Sequence, residues 1–241
     1  MLAPGLQGWS AAARVLSGEE RFVPAEVKRP APTLLPPAER RRCAPSVAWA
    51  LSVAQEAVAA SGIGAEEFAV VFVSSDGDGD IVHRLCTALA AAAPAVSPTD
   101  FHNSVHNAAV GYWSIGVRSM APSTALCAYD ASFGAGLLEA AAQIGAEARR
   151  VLLVAVDLPY PPPLAQHLPA RNGFACALAL EPGAALAISV GEEKPDPLPL
   201  PGFEGNAAAA ALPLLALLAR AGEGKARLPL PDGAISVARR A

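Results

Sequence analysis

Pro122-Ser123-Thr124-Ala125-Leu126-Cys127-Ala128-Tyr129-Asp130-Ala131-Ser132-Phe133-Gly134 is the stretch on which the reading of this chain turns. Thr124 to Ala128 is short and apolar, the pattern of a strand. A turn of small residues follows. Phe133, Leu137, Leu138, Ala141 and Ile144 then share one helical face, with Glu139, Gln143 and Glu147 on another. A strand that turns sharply into a helix is a good place to expose one reactive side chain. Val151 to Val156 is again an apolar run. Strand, helix and strand at this spacing predict a right-handed βαβ unit with parallel pairing.

Working upstream, Phe68 to Val73 is rich in β-branched residues and reads as a strand buried on both faces. Ser74 to Asp80 is a polar, glycine-containing turn, and Ile81 to Ala92 is helical. Val47, Leu51, Ala54 and Val58 recur at helical spacing from Ser46 until Ser61-Gly62 ends the pattern. Residues 1–37 are expected to be an irregular arm, because Pro24, Pro30, Pro32, Pro36 and Pro37 forbid a long helix in its second half. Trp9 and Phe22 would pin that arm to the body. Pro37 can open a helix carrying Glu39 to Arg42.

Downstream, Pro159 and Pro161 to Pro163 mark a loop. Phe174 to Leu180 and Ala184 to Val190, around Glu181-Pro182-Gly183, suggest a hairpin. A proline-rich segment from Pro195 to Pro201 precedes a short helix over Asn206 to Ala221. Arg227 to Leu230 and Ala234 to Ala238 form a final strand pair. The fold class is therefore α/β, a mixed sheet with helices on its faces. The expected units are the arm (1–37), a main domain (38–190) and a C-terminal extension (191–241) of the same globule.

The 241 residues are 53% hydrophobic with a net charge of −4, enough for one substantial core. No basic block points to nucleic acid. No apolar run is long enough to span a membrane, and the N-terminus lacks a signal pattern, so the expectation is a soluble cytoplasmic protein. Cys43, Cys86, Cys127 and Cys176 are scattered without a CxxC pair, which reads as buried free thiols rather than a zinc or redox site.

Asp76-Gly77-Asp78-Gly79-Asp80 looks at first like a calcium loop. Ile81 follows where glycine is needed, and Thr87 stands where a bidentate glutamate belongs. A turn with an acidic helix cap explains it better. His102 and His106 would share one face of a helix, a spacing that suits zinc. Asn103 occupies the place of a zinc protease's glutamate, and no third ligand is evident. Ala131-Ser132-Phe133-Gly134 narrowly misses a hydrolase elbow, so Ser132 is read as a cap of the following helix. Gly134 and Gly136 would let that helix approach the sheet. Phosphate-loop and dinucleotide fingerprints are absent, and neither metal nor cofactor is implied.

Several segments together resemble the N-terminal half of the β-ketoacyl synthases, which have the thiolase fold. They are Ala48 to Gly62 with Gln55-Glu56-Ala57, Phe68 to Gly79, Pro122-Ser123 through Leu137, and Phe174 to Glu181. Ser97-Pro98-Thr99-Asp100-Phe101-His102-Asn103-Ser104-Val105-His106-Asn107-Ala108 and Gly111-Tyr112-Trp113-Ser114-Ile115 resemble a narrower branch. That branch comprises the short chain-length-factor-like subunits of aryl polyene and xanthomonadin-type pathways. The resemblance covers about residues 38–190 in preserved order.

The resemblance implies acyl elongation, in which a cysteine thiolate takes the acyl group. It places Asp130 at the cysteine's position. A carboxylate is a weak nucleophile toward thioesters, and a helix N-terminus would stabilise its unreactive anion. Cys127 would lie on the strand, pointing into the core. The family's two catalytic histidines come from a second half, whereas the tail after Val190 contains no histidine. No catalytic residue is therefore expected.

The implied function is that of a non-catalytic chain-length factor in polyketide or fatty-acid-type elongation. Its implied partners are a full-length ketosynthase, in a heterodimer, and an acyl carrier protein. The strand Ser123, Thr124, Ala125, Leu126, Cys127 and Ala128 would join the partner across the two-fold axis. Phe101, His102, His106, Asn107, Tyr112, Trp113 and Phe133 are candidates for tunnel or interface lining. Two other readings stand beside this one. One is a small acyltransferase or malonyl decarboxylase acting alone through Asp130 or the His102/His106 pair. The other is a homodimeric scaffold.

Overall fold

A computed structural model describes residues 1–168 and 170–240. Its centre is β3 (Phe68–Val73), every residue of which is buried because helices cover both faces. β4 (Ser123–Leu126) and β5 (Arg150–Asp157) run parallel to β3 on either side of it. The βαβ expectation is thus right in direction, but its two strands straddle β3 instead of pairing with each other. β6 (Phe174–Leu180) pairs antiparallel with β5 and starts opposite its end, with Phe174 facing Asp157. The short β1 (Leu2–Ala3) and β2 (Leu6–Gln7) complete a six-stranded sheet in the order β2-β1-β6-β5-β3-β4.

The N-terminal arm is not irregular throughout. β1, β2 and α1 (Trp9–Ser17) order its first half, and only the proline-rich second half is without regular structure until α2 (Pro37–Arg42). Ala3 and Leu6 are fully buried, so hydrophobic burial organises a segment whose elements are too short to read from periodicity. The expected hairpin over Phe174 to Val190 does not form either. β7 (Leu186–Gly191) leaves β6 and joins β9 (Gly233–Arg239), which pairs with β8 (Gly224–Leu230) as expected. The unit boundary at residue 190 therefore falls inside a strand that belongs with the tail.

Helices α3 (Pro45–Ser61) and α6 (Ala108–Val117) cover one face of the large sheet, with α4 (Gly79–Leu89) and α5 (Pro98–Asn103) beyond them. Their core holds Leu51, Phe68, Phe72, Trp113, Leu152 and Val154. Against the other face lie α1, α7 (Ser132–Glu147) and α8 (Leu212–Ala219), then the three-stranded sheet. Phe133, Leu137, Leu153, Phe174, Leu214 and Leu228 belong to that second core. Each such side chain contributes about 1.5–3 kcal/mol by leaving water.

Two glycines show how tightly α7 is held between the sheets. A Cβ on Gly136 would lie 2.3 Å from Val73 of β3. One on Gly134 would lie 2.1 Å from the Pro229 carbonyl of β8. The expectation of a close approach holds, but on two opposite sides. Among the described residues, no helix is long and apolar enough to cross a membrane.

Candidate functional site

Three parallel strands end on the same side of the sheet, and their C-terminal ends bring polar residues together. This is where open α/β sheets commonly place ligands. Ser74, Ser75 and Asp76 follow β3, Tyr129 and Asp130 follow β4, and Asp157 ends β5. Asp157 is the organising group. Its Oδ1 accepts hydrogen bonds from Ser74 Oγ (2.9 Å), Ser75 N (2.8 Å) and Ser75 Oγ (2.9 Å). Burial pushes its carboxyl up to about 6 against the pull of those donors, and the Asp76 charge adds to the rise.

Asn206 joins the tail to this cluster. Its Nδ2 donates to the carbonyls of Asp157 (3.0 Å) and Asn172 (2.9 Å), while its Oδ1 accepts from Ala209 N. Sequence reasoning missed both Asp157 and Asn206. The signals were present: one acid closing a wholly apolar strand, and one amide opening an alanine run.

The turn after β3 is a helix cap. Asp78 Oδ1 accepts from Ile81 N (3.1 Å) and Oδ2 from Ser46 N (3.0 Å), so one carboxylate serves the starts of both α4 and α3. The turn after β4 is built differently. Tyr129 has a left-handed φ of 53°, and a short 3-10 turn over Tyr129–Ala131 carries Asp130 out into solvent. Ser132 does not cap free amides of α7. Its Oγ accepts from Ala128 N (3.0 Å) and donates to the Tyr129 carbonyl (2.6 Å), which clamps the turn before the helix.

Cys127 does not point into the core. It lies beyond the end of β4, exposed, and its thiol donates to the Ser75 carbonyl. Cys86 is exposed as well, while Cys43 and Cys176 are buried as expected. Ala128 also falls outside the strand.

The histidine pair is separated. α5 ends at Asn103, so His102 and His106 do not share a helical face. Asn103 holds that end by donating to the Arg42 and Thr99 carbonyls and accepting from Ala44 N. His106 Nε2 donates to the Ser74 carbonyl (3.0 Å), and the His102 ring stands edge-on to Tyr112. Neither histidine lines the cleft that holds Asp130. Among the described residues, no group of histidine, cysteine and carboxylate side chains could hold a metal.

Phe101, His102, Asn107 and Tyr112 line a groove of about 970 Å³ between α5, α6 and the segment near Leu34. Phe101 is 66% exposed there and Ile115 is 79% exposed. Trp113 and Phe133 lie apart from it, buried in the cores on opposite faces of the sheet.

β4 is an outer strand of the large sheet. Val70 N donates to the Pro122 carbonyl and Ser74 N to the Leu126 carbonyl. In a parallel ladder this register turns Thr124 and Leu126 toward β3 and the backbone groups of Ser123 and Ala125 outward. Met120 just before the strand is 99% exposed, and Tyr129 just after it is 69% exposed.

Comparison with known proteins gives this fold a relationship. No curated protein matches the chain. Among solved structures, the ketosynthase ApeO in complex with its chain length factor ApeC, from Xenorhabdus doucetiae, aligns with a TM-score of 0.73 at 22% identity. That alignment covers 99% of this chain and 95% of the matched one. The ishigamide ketosynthase/chain length factor aligns at 0.73 and 15% identity, covering 98% and 96%. The AntDE:AntF assembly, a type II polyketide acyl-carrier protein in complex with its ketosynthase, aligns at 0.75 and 10% identity, covering 99% and 96%. These likenesses establish a thiolase-like ketosynthase fold and matched chains of about this length. The family profile described as "Beta-ketoacyl synthase, N-terminal domain" matches residues 9–228, and this chain belongs to that family.

Proposed function

We propose that this chain is a non-catalytic, chain-length-factor-like subunit. It pairs through β4 with a full-length β-ketoacyl synthase that extends acyl chains held on a carrier protein in the cytoplasm. The single observation that carries this reading is the bare outer edge of β4, flanked by exposed Met120 and Tyr129. An apolar edge of this kind invites a partner strand. Asp130 supports the non-catalytic half of the reading. At the turn after β4 it offers a carboxylate, a weak nucleophile toward thioesters, just before a 16-residue helix. Similarity to chains in ketosynthase assemblies supports the pairing, and the Ser97 to Ala108 segment suggests an aryl polyene-type product.

The test is co-expression with a full-length, cysteine-bearing ketosynthase of the same organism. The two chains are expected to co-purify and to yield a defined product length that the ketosynthase alone does not reproduce. Separate elution with unchanged product would sink the reading. Carbon dioxide release from malonyl-carrier protein by the isolated chain, lost in Asp130→Ala, would replace it with an enzymatic one.

A further inference from the structure

The small sheet has two outer strands, β8 and β7, and they are finished differently. On β8 the outward main chain of Arg227 is met by Asp196. The Asp196 N–H donates to the Arg227 carbonyl (2.9 Å), and its Oδ2 accepts from Arg227 N (2.8 Å). On β7 nothing comparable occurs. Arg240 N donates to the Ala185 carbonyl (3.1 Å), a register that turns Ala185, Ala187 and Ser189 toward β9. The main-chain groups of Leu186, Ile188 and Val190 therefore point away from the sheet, and among the described residues they have no partner.

The usual protections of an edge strand are also missing. Ala184 to Gly191 contains neither a charge nor a proline. Leu186, Ile188 and Val190 share one face. Exposure rises along it, from half-buried Leu186 to 37% at Ile188 and 56% at Val190. The same face borders an apolar cavity of about 460 Å³, lined also by Ile144, Leu180 and Leu218.

The strand's own sequence selects the partner that fits. A two-fold axis at Ser189 sets two copies of β7 antiparallel, with Ile188 of one opposite Val190 of the other. Their outward main-chain groups then bond to each other, and no like charges meet. Glu192, exposed just past the strand, comes opposite Leu186 of the second copy, whose neighbour across the ladder is Arg239. Two strand spacings, about 10 Å, separate those backbones, within reach of two long side chains. Among the described residues neither Glu192 nor Arg239 has an ion pair. Moving the axis to Val190 would set Glu192 in line with Val237 instead, and moving it to Ile188 would carry Glu192 past the end of β9.

We propose that this chain self-associates through β7, two copies joining their small sheets into one of six strands. The contact leaves the β4 edge of the large sheet free, so it stands or falls apart from the pairing with a ketosynthase.

Sedimentation equilibrium of the full chain alone, over a series of concentrations, tests this. A reversible monomer–dimer equilibrium is expected. Val190→Lys charges the edge and should weaken the dimer roughly tenfold or more. Glu192→Lys, at an exposed bend where folding is not at stake, should weaken it about threefold to tenfold. Adding Arg239→Glu to Glu192→Lys should recover most of that loss, which a merely structural role for either residue would not do.

A monomer at every concentration would overturn the proposal, as would a dimer indifferent to both Val190→Lys and Glu192→Lys. A dimer abolished by Ala125→Pro but not by Val190→Lys would overturn it in favour of a contact through β4. Growth beyond two copies would overturn it too, since a two-fold contact closes on itself.

Discussion

The two ends of the six-stranded sheet are finished in opposite ways. At one end the chain covers its own edge. β1 pairs with the start of β6, β2 folds back on β1, and Ala3 and Leu6 are fully buried. Trp9 N–H donates to Glu56 of α3 and ties this cover to the body. At the other end, among the described residues, no strand lies beyond β4, and Met120 and Tyr129 on either side of it face solvent. Unpaired strand edges are normally shortened, charged or covered. The chain covers one edge and leaves the other open, and the proposed pairing rests on that open edge.

The comparison can be broken at four points. Leu6→Ala on the covered edge should destabilise the isolated chain by about 2–4 kcal/mol in urea unfolding. A loss well under ~1 kcal/mol would show that the cover is not part of the cooperative core. On the open edge, Ala125→Pro removes an N–H that β3 does not use. It should reduce pairing with the ketosynthase roughly 100-fold, because a proline blocks strand addition. The unfolding midpoint should barely move, since edge strands tolerate proline. A large loss of stability would show that the outward register is wrong.

Midway between the edges, Asp157 sets a pH-dependent term. Its folded carboxyl, near 6, lies above its ordinary value of 3.8, so the native state holds a proton that the unfolded chain releases. Its contribution is full below the unfolded value and is lost as pH rises through about 6. Asp157→Asn should therefore be more stable than the parent by about 2 kcal/mol near pH 8, and the gap should close toward pH 4. A gap that widens on acidification would contradict this assignment. The smallest effect is expected from Ile115→Ser. Isolated stability should change by no more than about 0.5 kcal/mol, while pairing weakens about threefold to tenfold. Equal pairing would place the interface elsewhere than α6.

Much of the fold was legible in the chain. Phe68 to Val73 and Val151 to Val156 read as strands because unbroken apolar runs mark a sheet covered on both sides. An acidic helix cap in the Asp76 to Asp80 turn was legible from its place between a strand and a helix, and the fold assigns it to Asp78. Gly134 and Gly136 followed from the need for close packing, although only the fold showed that they face different sheets. The candidate site was less legible. The spacing of His102 and His106 implies a shared helical face, but the helix that carries His102 ends at Asn103, before His106. The significance of Asp157 at the end of its strand depends on Ser74 and Ser75, 83 and 82 residues away.

Local chemistry is what the amino-acid sequence by itself determined. It set which runs are strands or helices, where turns fall, and that a carboxylate stands after the strand at Ser123. These depend on side-chain periodicity and on the backbone preferences of glycine and proline, which act over a few residues. Tertiary structure alone decided strand order, the departure of β7 to a second sheet, and which strand edge was left open. It also decided that Asp157 and Asp130 would line one cleft. Those outcomes come from pairing and burial between segments far apart in the chain, where many arrangements suit the local pattern and the packed core selects one.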